Sequence, residues 1–121
     1  MENEEFGFKN LKVWKKAIAF ADSVIELTEN LNTPGKHYRL IEQIEASSSS
    51  ISQNIAEGKG RNSKNEFKQY LYIARGSLYE TVTLLNIFHK RNWITTKQLT
   101  EEEFKAIEIV KMIKGLINSL K

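Results

Sequence analysis

The chain has no cysteine and a single proline among its 121 residues, and these shortages exclude more than any motif in it does. Without cysteine there is neither a disulfide framework nor a thiolate-ligated zinc, and the sequence suits a reducing compartment. Pro34 is the lone proline and glycine occurs six times, so long helices can run without a built-in breaker, and Pro34-Gly35 marks where one must end. No apolar run approaches the roughly 20 residues of a membrane-spanning helix. Met1 to Asn10 is acidic and has no apolar core, so no secretory leader is expected, and a soluble cytoplasmic protein is. A chain of this length makes one domain, 1–121, able to bury about two thirds of its unfolded surface; residues 1–9 are expected as a flexible tail.

What is present centres on Ser47 to Arg61, SSSSISQNIAEGKGR, which runs ten residues without a charge and ends in a basic, glycine-rich corner. Ile41, Ile44, Ser48, Ile51 and Ile55 recur at helical spacing, which predicts a helix through the serines rather than a flexible linker. Serine is a moderate helix former, so its use here points to size: small side chains let neighbouring backbones approach, and their hydroxyls can bond back to helix carbonyls. Gly58 is expected to close this helix as a left-handed cap.

The remaining pattern predicts three more helices. The first runs from about Asn10 to Leu31 with Leu11, Trp14, Ile18, Ala21, Ile25 and Thr28 inward. The serine helix spans Lys36 to Glu57. The third opens on Ser63, an N-cap with Glu66 three residues on, and runs to about Asn92. Thr100 with Glu103 is the expected cap of the fourth, with Thr96 to Leu99 as an earlier turn and Phe104, Ile107, Val110, Met112 or Ile113, Leu116, Ile117 and Leu120 inward. Four such helices with short connections favour an all-α, antiparallel up-down-up-down four-helix bundle.

The third helix carries two stripes. Phe67, Leu71, Ala74, Leu78, Thr81, Leu85 and Phe88 make a core face, while Tyr72, Gly76, Tyr79 and Thr83 form an uncharged seam on the other side. With Ala46, Ser49, Ser50 and Gln53 on the uncharged outer face of the serine helix, that seam is expected to meet further copies of the chain.

Leu40, Gln43-Ile44, Ser50-Ile51, Asn54-Ile55-Ala56-Glu57-Gly58, Gly60-Arg61, Ser63, Phe67, Leu71, Ala74, Gly76-Ser77-Leu78 and Glu80, led by Phe8, Leu11, Val13-Trp14 and Ala17, carry a resemblance. The sequence resembles the four-helix-bundle proteins encoded in intervening sequences of large-subunit ribosomal RNA genes. That family is similar in turn to the accessory variability determinant of diversity-generating retroelements, a ring-forming helper that binds a reverse transcriptase and nucleic acid. The resemblance implies a homopentameric bundle with no assigned catalysis. Where many members carry two basic residues after the Gln-Ile pair, this chain has Glu45 and Ala46.

Charge supplies an independent indication. In an up-down-up-down bundle the start of the first helix, the corner between the second and third, and the end of the fourth share a pole. Eleven basic residues fall there (Lys9, Lys12, Lys15, Lys16, Lys59, Arg61, Lys64, Lys68, Lys111, Lys114 and Lys121) against Glu57 and Glu66, giving +9 on a chain of net +3. Even with Glu2, Glu4 and Glu5 folded over it, +6 remains. Lysines opening the first helix oppose its dipole, so their placement needs another reason: an anionic partner is one, and an ordinary solvated face is the other. The expected nucleic-acid contacts are Lys12, Lys15, Lys16, Lys59, Arg61, Lys64 and Lys68, made mainly to phosphate and shared by RNA and DNA.

Motifs for chemistry fail. Gly58-Lys59-Gly60-Arg61 lacks the spacing of a phosphate loop and follows a helix instead of a strand. His37 and His89, without cysteine or a helical-spacing partner, make no metal site. No serine, histidine and acid constellation is visible. Asn54, Glu57 and Gly58 are expected to build the corner structurally, Asn54 and Glu57 either bonding its backbone groups or pairing with Arg61. The sequence therefore predicts a non-enzymatic protein without cofactor or membrane partner, associating with itself and with nucleic acid or a nucleic-acid enzyme; the alternative is a scaffold for a protein partner.

Overall fold

The computed structural model describes residues 6–120. It contains α1 (Lys12–Glu29), α2 (Tyr38–Lys59), α3 (Lys64–Lys90) and α4 (Thr96–Ser119), with one 3-10 turn over Gly7–Asn10 before them. No strand occurs among the described residues. Each helix packs on two others, α1 on α2, α2 on α3, α3 on α4 and α4 back on α1, and among the described residues the diagonal pairs, α1 with α3 and α2 with α4, stay farther apart at the backbone. Residues 1–5 of the expected tail, with Glu2, Glu4 and Glu5, and Lys121 of the basic pole lie outside the described residues.

The α2–α3 pair is the most intimate. Ile44, Ser48, Ile51 and Ile55 are fully buried on α2, facing Phe67, Leu71, Ala74, Leu78, Thr81, Leu85 and Phe88, all buried on α3. The serines act as spacers and as polar ties. Ser47 Oγ lies 2.8 Å from Thr81 Oγ1, Ser77 Oγ donates to Ser50 Oγ at 2.8 Å, and Ser47, Ser48 and Ser52 each donate to a carbonyl three residues back. Hydroxyls that would be costly buried alone thus find partners across a helix interface that larger side chains would hold apart.

Gly58 departs from the sequence expectation. It has no positive φ and sits inside α2, and the cap is Gly60, in right-handed helical conformation at φ −79°. The glycine is required by crowding. A Cβ at Gly58 would stand 2.7 Å from Tyr70 Cβ and 2.8 Å from Phe67 Cδ1. Among the described residues the left-handed conformation belongs to Asn92 alone, at φ 64° just after α3, where asparagine tolerates it.

The outer helices are rolled relative to expectation. On α1 the buried set is Val13, Ala17, Phe20, Ala21, Val24 and Thr28, whereas Ile18 is 43% exposed and Leu11, Trp14 and Ile25 are half-buried. Alanines at 17 and 21 let α1 approach its neighbours with Phe20 as the knob between them, a better fit than a ridge of larger side chains. On α4 the buried set is Leu99, Glu102, Ala106, Ile109, Ile113 and Ile117. Phe104 and Ile107 point outward at 71% and 52% exposure. The cap also moves: Thr95 accepts from the Gln98 N–H at 3.1 Å while the Gln98 side chain accepts from the Thr95 N–H at 2.8 Å, a full capping box. Thr100 and Glu103 are interior to α4. At α3, Ser63 accepts from the Glu66 N–H at 3.0 Å.

Candidate nucleic-acid interface

The basic residues occupy three adjoining pieces of chain. The 3-10 turn packs on both α1 and α2, anchored by Phe8, whose ring centroid lies 5.2 Å from that of Trp14. Lys59 Cε comes within 4.0 Å of where a Gly7 Cβ would stand, so the end of α2 abuts the segment leading into α1. The three-residue corner Gly60 to Asn62, with Ser63 as cap, then turns into α3. Lys12, Lys15, Lys59 and Lys64 are exposed, and Lys68 is half-buried.

Two of the expected contacts are engaged within the chain. Lys16 Nζ lies 3.3 Å from Glu108 Oε1, a half-exposed ion pair joining α1 to α4. Arg61 donates to Glu57 Oε2 at 3.1 Å and to the Tyr70 hydroxyl, and its guanidinium stands 4.9 Å from the Tyr70 ring centroid. Tyr70 first, and Glu57 after it, hold the Arg61 pKa above its ordinary value, against a lowering by desolvation. Arg61 is thus a brace across the corner that still offers donors to solvent. Asn54 serves α2 itself: its amide donates to the Ser50 carbonyl and to Ser50 Oγ, both at 2.8 Å. Glu57 and Glu80 are both exposed and form no buried carboxylate pair.

Counted over the described residues, the segment leading into and opening α1, the α2–α3 corner and the end of α4 together hold ten basic residues, those named above without Lys121, against Glu57, Glu66 and Glu108, a net of +7. The remaining described residues hold Lys36, Arg39, Arg75, Lys90, Arg91, Lys97 and Lys105 against nine carboxylates, a net of −2. Glu108 joins this set through its ion pair with Lys16, a pairing between α1 and α4 that the sequence pattern does not show.

The proposed seams are on the surface. Tyr72, Gly76 and Tyr79 are exposed on α3, with Arg75 placed 5.1 Å from the Tyr72 ring centroid. Ala46 and Gln53 are exposed on α2, and Ser49 and Ser50 are half-buried. Beside Tyr79 opens a mainly apolar cleft of about 410 Å³ between α3 and α4, lined by Leu78, Val82, Ala106, Ile107 and Val110 among others. Nothing in the sequence pattern points to this cleft, because helical spacing places Ile107 inward, whereas it lines the cleft and is exposed.

At the other end His37 stacks on Trp93, 4.3 Å between centroids, and His89 bonds Thr96 Oγ1 at 3.0 Å. The two histidines thus serve separate local contacts. No group of three or more histidine, aspartate or glutamate side chains is placed to hold a metal ion among the described residues, and no described helix is long and apolar enough to cross a membrane.

With the four helices and the α2–α3 corner in place, the relationships are clear. Residues 9–115 match the 23S rRNA-intervening sequence proteins. The chain belongs to that family. The structure of this intervening-sequence protein is similar to the crystal structure of a protein of unknown function from the S23 ribosomal protein family of Bacteroides thetaiotaomicron. The two superpose with a TM-score of 0.80 at 28% sequence identity, over 87% of this chain and 97% of that one. Comparison with curated proteins gives no match.

Proposed function

We propose that this intervening-sequence protein is a non-enzymatic, cytoplasmic, self-associating bundle that binds RNA or DNA through its basic end. The observation that carries the reading is the charge asymmetry, +7 at one end against −2 over the rest of the described chain. A field of that kind attracts a polyanion through phosphate neutralisation and counterion release, with little dependence on base sequence. The topology that supports it is antiparallel, up-down-up-down. Its basis is the pairing of Gln43 with Glu80, Ser47 with Thr81 and Ser50 with Ser77, of Asn86 with Glu103, and of Lys16 with Glu108 and Ser23 with Glu102.

Self-association rests on the uncharged seam of Tyr72, Gly76 and Tyr79 beside Ala46, Ser49, Ser50 and Gln53, and the family resemblance supplies five as the subunit number. Repetition of the basic end around a ring would multiply the affinity for one strand. Titration of fluorescent RNA and DNA oligomers at several salt concentrations tests the reading: affinity falls steeply as salt rises, and similarly for different sequences. A second reading, a scaffold for a protein partner, is favoured by one observation, the apolar α3–α4 cleft flanked by exposed Phe104 and Ile107. Absence of binding at low salt would leave that reading ahead.

A further inference from the structure

The 3-10 turn ahead of α1 sets three aromatic rings in series. Phe8 lies 5.2 Å from Trp14 between centroids, and Phe6 stacks on Phe8 at 5.6 Å with the two rings 24° from parallel. Phe8 and Trp14 are half-buried, whereas Phe6, the outermost, is 69% exposed. An exposed phenylalanine ahead of a first helix is ordinarily a loose side chain, but this one is held. Its carbonyl accepts the Lys9 N–H at 3.0 Å, the Phe8 carbonyl accepts the Leu11 N–H at 3.0 Å, and the turn packs on both α1 and α2. The Phe6 ring therefore has one face supported by Phe8 and the other open to solvent, a fixed apolar plane that nothing in the fold uses.

Around that plane stand lysines. Lys9, Lys12, Lys15 and Lys59 are all exposed, and Lys59 Cε comes within 4.0 Å of where a Gly7 Cβ would stand. None of the four is in an ion pair among the described residues. A bare aromatic face among free ammonium groups matches a flat uncharged ring carried on a phosphate backbone, which is an unpaired nucleotide. A duplex does not fit as well, because its bases are paired and stacked inside and offer no free face. A membrane surface calls for a broad apolar face on an amphipathic helix, while the exposed neighbours of Phe6 in the turn and the start of α1 are Gly7, Lys9, Asn10, Lys12 and Lys15. Resting on the nucleic-acid reading above, we propose that this surface takes single-stranded nucleic acid. One unpaired base stacks on the open face of Phe6, and Lys9, Lys12 and Lys59 hold the flanking phosphates. Every base has a π-face, so the contact selects for strandedness and leaves base identity nearly free.

The test is fluorescence anisotropy of the full chain with RNA and DNA strands of one length, the matching DNA duplex, and a DNA strand of abasic residues. Phosphate attraction alone favours the duplex, whose charge density is higher. The single strands of both sugars are expected instead to bind about tenfold tighter than the duplex. Phe6→Ala should weaken the strands by about tenfold, leave the duplex and the abasic strand unchanged, and keep the salt dependence, since no phosphate contact is lost. Phe6→Trp should restore strand binding. Failure of strand and duplex alike to bind at low salt would overturn the nucleic-acid reading and this inference with it. Duplex binding as tight as the strand, or strand binding indifferent to Phe6→Ala, would overturn the inference alone. Phe6-dependent binding to phosphatidylserine–phosphatidylcholine vesicles tighter than to the strands would overturn it in favour of a membrane contact.

Discussion

Gly58 lies so close to Tyr70 that a Cβ on the glycine would stand 2.7 Å from the tyrosine's own Cβ, an atom fixed to the α3 backbone. In an open helix, glycine to alanine stabilises by up to about 1 kcal/mol. Here the clash reverses the sign, because relieving it means separating the backbones of α2 and α3. Gly58→Ala is therefore expected to destabilise by about 1–3 kcal/mol, read as a lowered midpoint in chemical denaturation. An unchanged or raised midpoint would mean that the helices are not in contact there.

Gly76 gives the opposite case, with nothing within 4 Å of an added Cβ on a single chain. Gly76→Arg should leave helical content intact, yet in the self-association proposal it places a bulky charge in the seam and shifts the light-scattering mass toward monomer. Gly115 is similarly open, and Gly115→Arg is the control that should keep the wild-type mass. A wild type already monomeric in dilute solution would end the proposal of a seam.

Charge reversal at the basic end must respect the Lys16–Glu108 pair at 3.3 Å, since glutamate at 16 would face Glu108 and loosen α1 from α4. Lys12→Glu with Lys15→Glu and Lys16→Gln avoids that repulsion. This triple variant should remain folded by circular dichroism and lose oligonucleotide binding at low salt, while Lys36→Glu at the other end should lose little. Equal losses from both would rule out a localised basic surface.

The two possible caps of α4 can be separated by stability alone. Thr95 carries the capping box whereas Thr100 lies one turn inside the helix. Thr95→Ala should cost about 1 kcal/mol, and Thr100→Ala, at an exposed interior position, should be near neutral or slightly stabilising. Thermal unfolding of the pair reads the order directly.

The Ser47–Thr81 contact, buried and 2.8 Å long, should appear as a coupling in a double-mutant cycle. Ser47→Ala and Thr81→Val are each expected to cost about 1–2 kcal/mol, and the double variant less than their sum, because removing one hydroxyl leaves the other short of a partner. Strict additivity would mean that the hydroxyls act only through their own helices, where Ser47 bonds the Ile44 carbonyl and Thr81 the Ser77 carbonyl.

By itself the sequence determined the helical class, the number of helices and the packed faces of α2 and α3. On α2 the apolar residues fall on one stripe, from Ile44 to Ile55, and on α3 the stripe from Phe67 to Phe88 is so much more apolar than the Tyr72, Gly76, Tyr79 and Thr83 seam that periodicity singles it out. The roll of α1 and α4 was decided by tertiary structure, because each has apolar side chains on more than one face. Ile18 against Val24, or Phe104 against Ile109, is a choice that period alone cannot make. Packing makes it through size: Ala17, Ala21 and Ala106 permit close approach, and the larger alternatives are left outside. The role of Gly58 was hidden for a related reason, since a glycine near a helix end reads as a cap and only the neighbouring helix reveals the crowding. Glu102 and Ser23, 79 residues apart in sequence, meet only once α1 and α4 have taken that roll, so their contact has no local signature at all.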